Sequence, residues 1–409
     1  MNYVLILGFF MSFFNVFWLL SYISIASFSA AIITPALPEI QQEYALLQGQ
    51  VEWIVSAFLV GYVIGQLIYG PLANRFGRII ALRIGLVINL FGILICFMGI
   101  YFQSYSIIII GRLITALGAA SGLACTFMLI NEWLPAEQRK TAMAYSILSF
   151  TIGIGLAVIL GGIITQYSHW HNCFFLLFGH GVLMLYGTRV FSETLITPQK
   201  INLGSIIKGY KVALFSDSLI VYSLVVGLCS AIGYCFSAAG PQIALDLFHL
   251  SPAEYGYWNM LNMLGMLAGG LLAKPLLQKY SANNVVSLGL TGTAFGLFGL
   301  ILMTYLGKGT VIWFFTSTLF MYLFSGLLFA GGSFIASNAV ADKASGAAMM
   351  SFINMITATL AVVLMGYIGS TPLFSFITIL SSLWLLILVV LIVRGGLKVI
   401  YNHQLRTGH

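Results

Sequence analysis

The sequence predicts an all-α membrane protein of twelve transmembrane helices, arranged as two halves of six with both termini on the cytoplasmic side. Three observations carry this. Only 7% of the 409 residues are charged while 60% are hydrophobic, and mean hydropathy is +1.02. A soluble domain carries about 25% charged residues, so this chain cannot hydrate a globule of its size. The chain also divides into twelve apolar runs of about the 20 residues that one helical crossing needs, and the basic residues between them gather on one side. A soluble enzyme, a nucleic-acid-binding domain and a disordered chain are excluded by the same counts.

Taken in order, the runs bounded by polar breaks fall near residues 14–37, 52–73, 79–101, 105–133, 142–166, 173–192, 218–241, 255–276, 285–306, 310–338, 347–369 and 373–393. They are numbered here as spans 1 to 12. The first apolar stretch begins at Tyr3 and is too long for one crossing. Either the helix begins near Met11 or residues 1–12 form a separate lead-in. The lack of a basic n-region and the length of the run argue against a cleavable signal. The long break Ser192–Asp217, with Lys200, Lys208 and Lys211, separates an N-terminal half (1–191) from a C-terminal half (218–409), leaving 192–217 as a cytoplasmic central loop.

Orientation follows from the basic residues, which accumulate in cytoplasmic loops. With the termini inside, 15 of the 17 Lys and Arg fall on the inner side; Lys308 lies outside and Arg112 within span 4. The acids Glu39, Glu43, Glu52, Asp246 and Glu254 fall outside, and every acid is assigned to a loop or a helix end. An internal repeat supports the division into halves. A shift of 200 residues places Gly65, Gly70, Leu72 and Ala73 on Gly265, Gly270, Leu272 and Ala273, each segment crossing the inner end of the second span of its half. Parallel repeats of six spans are an architecture of secondary transporters.

The loop after span 2 reads Gly70-Pro71-Leu72-Ala73-Asn74-Arg75-Phe76-Gly77-Arg78. It resembles the major facilitator signature G-x-L-a-D-r-x-G-r in its expected place. Pro35-Ala36-Leu37-Pro38, Arg112 through Ala120, Trp170-His171 and Ser251 through Gly256 further resemble the Bcr/CflA-like branch of the drug:proton antiporters, over nearly the whole chain. Several positions depart from that branch. Ala31 stands where an aspartate is usual in span 1, Asn74 replaces the signature aspartate, Ala157-Val158 replaces the span 5 Gly-Pro, and Thr115 and Ala116 replace Gln and Gly.

The resemblance implies an alternating-access transporter, and it names candidate positions. Arg112 is the one clear charge at depth in a span, where charges are costly and usually functional. The family position faces the central cavity, so Arg112 is expected to bind an anionic or hydrogen-bond-accepting group, or else to be a structural arginine bonded to helix carbonyls. His180, mid-span 6, has an ordinary pKa near 6.5 and could exchange protons, or could be a packed histidine. Tyr62, Gln66, Tyr145, Tyr234, Trp258, Asn259 and Asn262 are polar or aromatic residues that could line the cavity. At the inner surface Gly70, Asn74, Arg75, Gly77, Arg78 and Glu132 form an expected gate, since in relatives a signature arginine pairs with an acid at the end of span 4. Glycines at four-residue spacing (Gly61/Gly65, Gly118/Gly122, Gly292/Gly296) let helices approach closely.

No metal site is expected. Two histidines at 169 and 171 lack a third ligand, and the five cysteines lie in apolar runs without a CxxC. No cofactor is expected beyond protons as a coupling ion, and no nucleophile–base pair suggests an enzyme. The expected partners are a small-molecule substrate and the lipid bilayer, with no nucleic acid, around a monomer in a bacterial inner membrane. Three functions compete: export of an amphiphilic drug-like molecule, movement of an anionic metabolite such as a polycarboxylate or carboxylate siderophore bound through Arg112, and a non-transporting sensor on the same scaffold.

Overall fold

The computed structural model describes residues 14–198, 203–340, 343–369 and 371–407, all of its regular structure helical. The relation of residues 1–12 to span 1 and the position of Lys200 lie outside the described residues. Among those residues, eleven helices are long and apolar enough to cross a membrane, and a bent pair at the N-terminus makes a twelfth. The basic loops define the inner side.

Span 1, read in the sequence as one apolar run at 14–37, is bent and extends further. It is the pair Phe14–Ser21 and Ser24–Glu43, bent by 47°. Ser21 Oγ donates to Trp18 O at 2.6 Å, Ser24 Oγ to Ser21 O at 2.7 Å and Ser27 Oγ to Ser24 O at 3.1 Å. Such back-bonding serines compete with the helical ladder and bend it. At the break the backbone tightens to i→i−3 bonds, Tyr22 N to Leu19 O and Ile23 N to Leu20 O. Pro35 and Pro38, each lacking an N–H, impose a 3₁₀ turn at Thr34–Ala36 before the short helix Leu37–Glu43.

The other spans are single helices. Spans 2 to 6 run Trp53–Phe76, Arg78–Tyr101, Tyr105–Glu132, Ala136–Tyr167 and Asn172–Gly187. A helix Leu203–Leu214 lies in the central loop; spans 7 to 11 run Asp217–Phe248, Pro252–Lys279, Ala282–Leu306, Val311–Asn338 and Lys343–Tyr367, and span 12 starts at Pro372. Spans 7 to 10 start at side-chain caps. Ser251 and Glu254 form a reciprocal capping box ahead of span 8, and Ser216, Ser281 and Thr310 cap spans 7, 9 and 10.

The repeat seen in the sequence is repeated in the packing. A Cβ on Gly65 of span 2 would run into Leu117 O and Ala120 Cβ of span 4, and one on Gly265 of span 8 into Leu319 O of span 10. Gly118 of span 4 lies on the backbone of Asn89 in span 3, and Gly296 of span 9 on Ser317 O and Met321 of span 10. Equivalent spans thus make equivalent close contacts in both halves, through glycine because lipid offers helices no hydrophobic reason to associate and backbone-to-backbone packing supplies it instead.

The two halves meet along spans 2 and 11 and along spans 5 and 8. Gly162 lies on the Pro252 carbonyl and Gly49 on the Gly366 carbonyl, both at the outer ends. There Trp53 Nε1 donates to Tyr367 Oη at 2.8 Å and Gln242 Nε2 to Gln41 Oε1 at 2.9 Å. The outer side is closed by these contacts.

Candidate functional site

Between the halves, on the inner side of this seam, lies a cavity of about 380 Å³. Residues from spans 1, 2, 4 and 5 face residues from spans 7, 8, 10 and 11 across it. Its wall descends to Phe127 of span 4 and Ser333 of span 10, both near inner helix ends. The geometry is that of a central binding cavity in an inward-facing arrangement.

Among the described residues the wall carries no Asp, Glu, Lys, Arg or His. Aromatic rings come from Tyr62, Phe127 and Phe150 on one side and Tyr234, Tyr322 and Phe329 on the other, and four methionines (Met263, Met266, Met350, Met355) add adaptable surface. Polar groups are neutral. Gln66 faces the Tyr62 hydroxyl. Asn262 Nδ2 donates to Asn259 Oδ1 at 3.1 Å, and Thr318 Oγ1 donates to Asn262 Oδ1 at 2.8 Å, so the two asparagines are held by span 10. Asn354 Oδ1 and Ser333 Oγ are buried on the wall without a protein partner. They are hydrogen-bonding groups at the disposal of a ligand, since leaving a buried acceptor unsatisfied is costly.

Of the residues expected at the cavity, Tyr62, Gln66, Tyr234, Asn259 and Asn262 lie on its wall. Trp258 does not; its ring stacks on Phe315, centroids 5.5 Å apart. Tyr145 is 48% exposed and also off the wall. His180 stands behind span 1, its ring 5.0 Å from Phe28. Arg112 is fully buried away from the wall. Its Nη1 donates to Ser29 O at 2.9 Å and its Nε to Ile54 O at 3.3 Å, and the guanidinium lies 4.5 Å over the Phe58 ring. It therefore ties span 4 to spans 1 and 2. Of the two readings the sequence left open for Arg112, these contacts are those of the carbonyl-bonded arginine.

Ala31, where the branch carries an aspartate, does line the cavity.

At the inner surface three of the expected gate residues, Gly77, Arg78 and Glu132, take part in one cluster. Arg78 makes a two-point pair with Glu132, Nη2 to Oε1 at 2.8 Å and Nε to Oε2 at 2.9 Å, and its Nη1 donates to Ala73 O. Arg75 is exposed and Asn74 half-buried beside it, while Gly70 leaves open space for a side chain. Gly77 turns the chain with φ +114°, a left-handed conformation that favours glycine. A Cβ there would also strike the Glu193 carboxylate.

Glu193 was not singled out in the sequence, because nothing in its spacing ties it to the loop 115 residues earlier. Its oxygens accept the backbone N–H groups of Arg78 at 2.9 Å and Ile79 at 3.1 Å, and of Thr194 and Leu195. It thus caps the N-terminus of span 3, where the helix dipole favours an anion. Burial alone would raise its carboxyl, but the backbone donors outweigh it and hold the group below its ordinary value. Thr194 Oγ1 donates to Glu132 Oε2 at 2.6 Å and closes the cluster. The clasp joins spans 2, 3 and 4 to the first residues of the central loop after span 6.

Comparisons with known proteins agree with this architecture. The sequence profile of the Major Facilitator Superfamily matches residues 19–234, just over half of the chain. A bicyclomycin resistance protein homolog of Haemophilus influenzae is 22% identical over 268 residues, 64% of this chain and 66% of that protein. An uncharacterized transporter of Rickettsia bellii is 27% identical over 290 residues, 68% of this chain and 69% of its own length. The matched region thus spans about two thirds of the length of these relatives. Among solved structures, a D-xylose–proton symporter superposes with a TM-score of 0.74 at 16% identity, covering 92% of this chain and 97% of the symporter. A bacterial homolog of the human lysosomal transporter Spinster gives 0.69 at 13%, covering 92% and 94%. Twelve spans in two repeated halves, a cavity between them and the profile match together establish that the chain is a membrane transporter, not an enzyme, and belongs to the major facilitator superfamily.

Proposed function

We propose that this transporter moves an uncharged, amphiphilic small molecule across a bacterial inner membrane by alternating access. The observation that carries the reading is the cavity wall, whose described residues offer aromatic rings, methionine side chains and neutral amides and hydroxyls but no ionised group. An ionised substrate entering it would lose hydration with no opposite charge to replace it. A flat or flexible apolar molecule with a few hydrogen-bonding groups would be met by the rings, by Asn262 and by the open acceptor of Asn354. About 380 Å³ is within the usual range for a drug-sized ligand, roughly 300–1,000 Å³.

The similarity to a bicyclomycin resistance homolog supports export as the direction and the antiporter branch as the relationship. The anion reading loses its carrier, because Arg112 holds two helix carbonyls and a ring rather than facing the cavity. Proton coupling, the monomeric state and the inner-membrane location belong to the same proposal.

The test is a thermal-shift screen of the purified protein against neutral amphiphiles, polycarboxylates and carboxylate siderophores, followed by flux of each stabilising compound in proteoliposomes. Neutral amphiphiles should stabilise the protein and be transported, and Asn262→Ala should weaken them by about tenfold, the value of one well-placed hydrogen bond. Stabilisation by carboxylates alone would overturn the reading.

A further inference from the structure

Transport through the cavity makes no use of the segment between the halves. From Thr194 to Ser216 it carries Lys200, Lys208 and Lys211 and no acid. Its helix Leu203–Leu214 has two unlike sides. On one, Tyr210 and Ala213 pack into a small apolar cluster with Leu219 of span 7 and Met349 and Ile353 of span 11. That contact holds the helix against the inner ends of both spans. The opposite side is exposed. Ile207 is 50% exposed, Val212 60% and Phe215, just past the helix end, 87%, and Lys208, Lys211 and Leu214 are exposed among them. Residues three and four apart are neighbours on a helix. Ile207, Lys211 and Leu214 therefore form one strip, with Lys208, Val212 and Phe215 beside it.

The height of this face relative to the bilayer is set by the chain. Phe215 immediately precedes Ser216, the N-cap of span 7, so the exposed strips stand where that span leaves the membrane. Apolar side chains at that level enter the boundary between headgroups and acyl chains, and lysines beside them extend their stems along it and place their ammonium groups among the phosphates. The next acid along the chain is Asp217, and Arg394 of span 12 lies against that turn, donating to Asp217 O and Ser218 Oγ. The local charge therefore stays positive.

We propose that the exposed face of the central-loop helix is a docking surface for anionic phospholipid headgroups of the inner leaflet. Charge complementarity selects this occupant: Lys208 and Lys211, with no acid on the helix, face a surface whose potential is negative. The docked helix is braced through Ala213 against Met349 and Ile353 of span 11, the span that gives Met350, Ser351, Asn354 and Met355 to the cavity wall. The lipid thus anchors an element that packs on one wall of the cavity. A lysine near an anionic leaflet contributes about fivefold to partitioning, so the pair contributes up to about 30-fold. The gain falls with added salt, which screens charges at the surface.

The test places a nitroxide on Val212→Cys; the five native cysteines are buried. The full chain is studied without cargo in nanodiscs of phosphatidylcholine alone and of an equimolar mixture with phosphatidylglycerol. In the mixture the label should be open to dissolved oxygen and shielded from a water-soluble nickel complex; in phosphatidylcholine alone the nickel complex should reach it. Lys208→Gln with Lys211→Gln should lower the ratio of shielded to reached label in the mixture by up to about 30-fold. Lys208→Arg with Lys211→Arg, which keeps both charges, should restore it. Equal nickel access in the two lipids would overturn the proposal, whether the label is reached in both or shielded in both. So would a glutamine pair that behaves like the lysines. Shielding found only in discs that hold two copies would assign the face to a second copy instead and count equally against it. Should the glutamine pair not fold, the comparison of the two lipids with both lysines in place still decides. Failure of the thermal-shift screen leaves this measurement unaffected, and the reverse also holds.

Discussion

Replacing Arg112 separates a structural arginine from a substrate-binding one. The guanidinium makes two hydrogen bonds from a charged donor to helix carbonyls and one contact with the Phe58 face. Such bonds contribute about 1.5–3 kcal/mol each, and a desolvated cation–π contact contributes about 2 kcal/mol. The gross attraction is thus about 5–8 kcal/mol by these principles. Burying the ion opposes it by several kcal/mol, and Nη2 is buried with no hydrogen-bond partner among the described residues. Arg112→Ala is expected to lose about 2–4 kcal/mol of stability on balance, because spans 1, 2 and 4 lose their common tie. Arg112→Lys, which cannot bridge two carbonyls and stack at once, should fall between. The assay is thermal unfolding in detergent alongside ligand affinity for each variant. Affinity for neutral amphiphiles should change by less than about threefold in whatever fraction remains folded, since binding hot spots are contacts with the ligand itself. A variant of undiminished stability that has lost anion binding would refute the reasoning and restore Arg112 to the substrate.

Two further outcomes follow from the clasp and the seam. Glu193, held below its ordinary value by backbone donors, contributes stability that is present above the unfolded value near 4.3 and is lost as pH falls through the folded value. Glu193→Gln should therefore flatten the acid limb of thermal stability between pH 5 and 3, by under about 1 kcal/mol because the group is exposed, and an unchanged acid limb would count against the clasp. Gly366→Ala places a methyl group against Glu52 Oε2 and the Gly49 Cα. Overpacking of about 1–3 kcal/mol should deplete the outer-closed form about five- to 150-fold, read as faster labelling of Cys235, kept as the sole cysteine, by an impermeant maleimide from outside. Unaltered labelling would show that the seam is not close-packed there.

The clasp is built without a side-chain contact from Asn74, the residue at the position of the signature aspartate. The loop between spans 2 and 3 is held by Gly77, by the Arg78–Glu132 pair and by Glu193 on the start of span 3. None of these three attachments involves position 74. Arg78 and Glu132 were both legible in the sequence as members of a gate; that it is Arg78 rather than Arg75 that reaches Glu132 depends on where the helix start points each side chain.

The sequence by itself determined the class, the number of spans, the orientation and the repeat. Each of these depends on quantities that are additive along the chain: apolar length against bilayer thickness, counts of Lys and Arg per loop, and glycine spacing along one helix. It also offered Tyr62, Gln66, Tyr234, Asn259 and Asn262, which lie on the cavity wall, together with Tyr145 and Trp258, which do not, because a polar or aromatic residue within a span can face lipid, a neighbouring helix or the cavity. The bend in span 1 was carried by Ser21, Ser24 and Ser27, a local signal that apolar length hides. The environment of each charge was decided only by the tertiary structure. Arg112, deep in a span, turned out to serve three helices, whereas Glu52, at the mouth of one, turned out to be buried. Depth along a helix is fixed by position in the chain, but exposure depends on which other helix covers that position. For Glu52 the covering helices, spans 7 and 11, lie roughly 180 and 310 residues away and belong to the other half of the protein. The scarcity of charge identifies a membrane transporter; the packing of the halves decides which of the few charges face water.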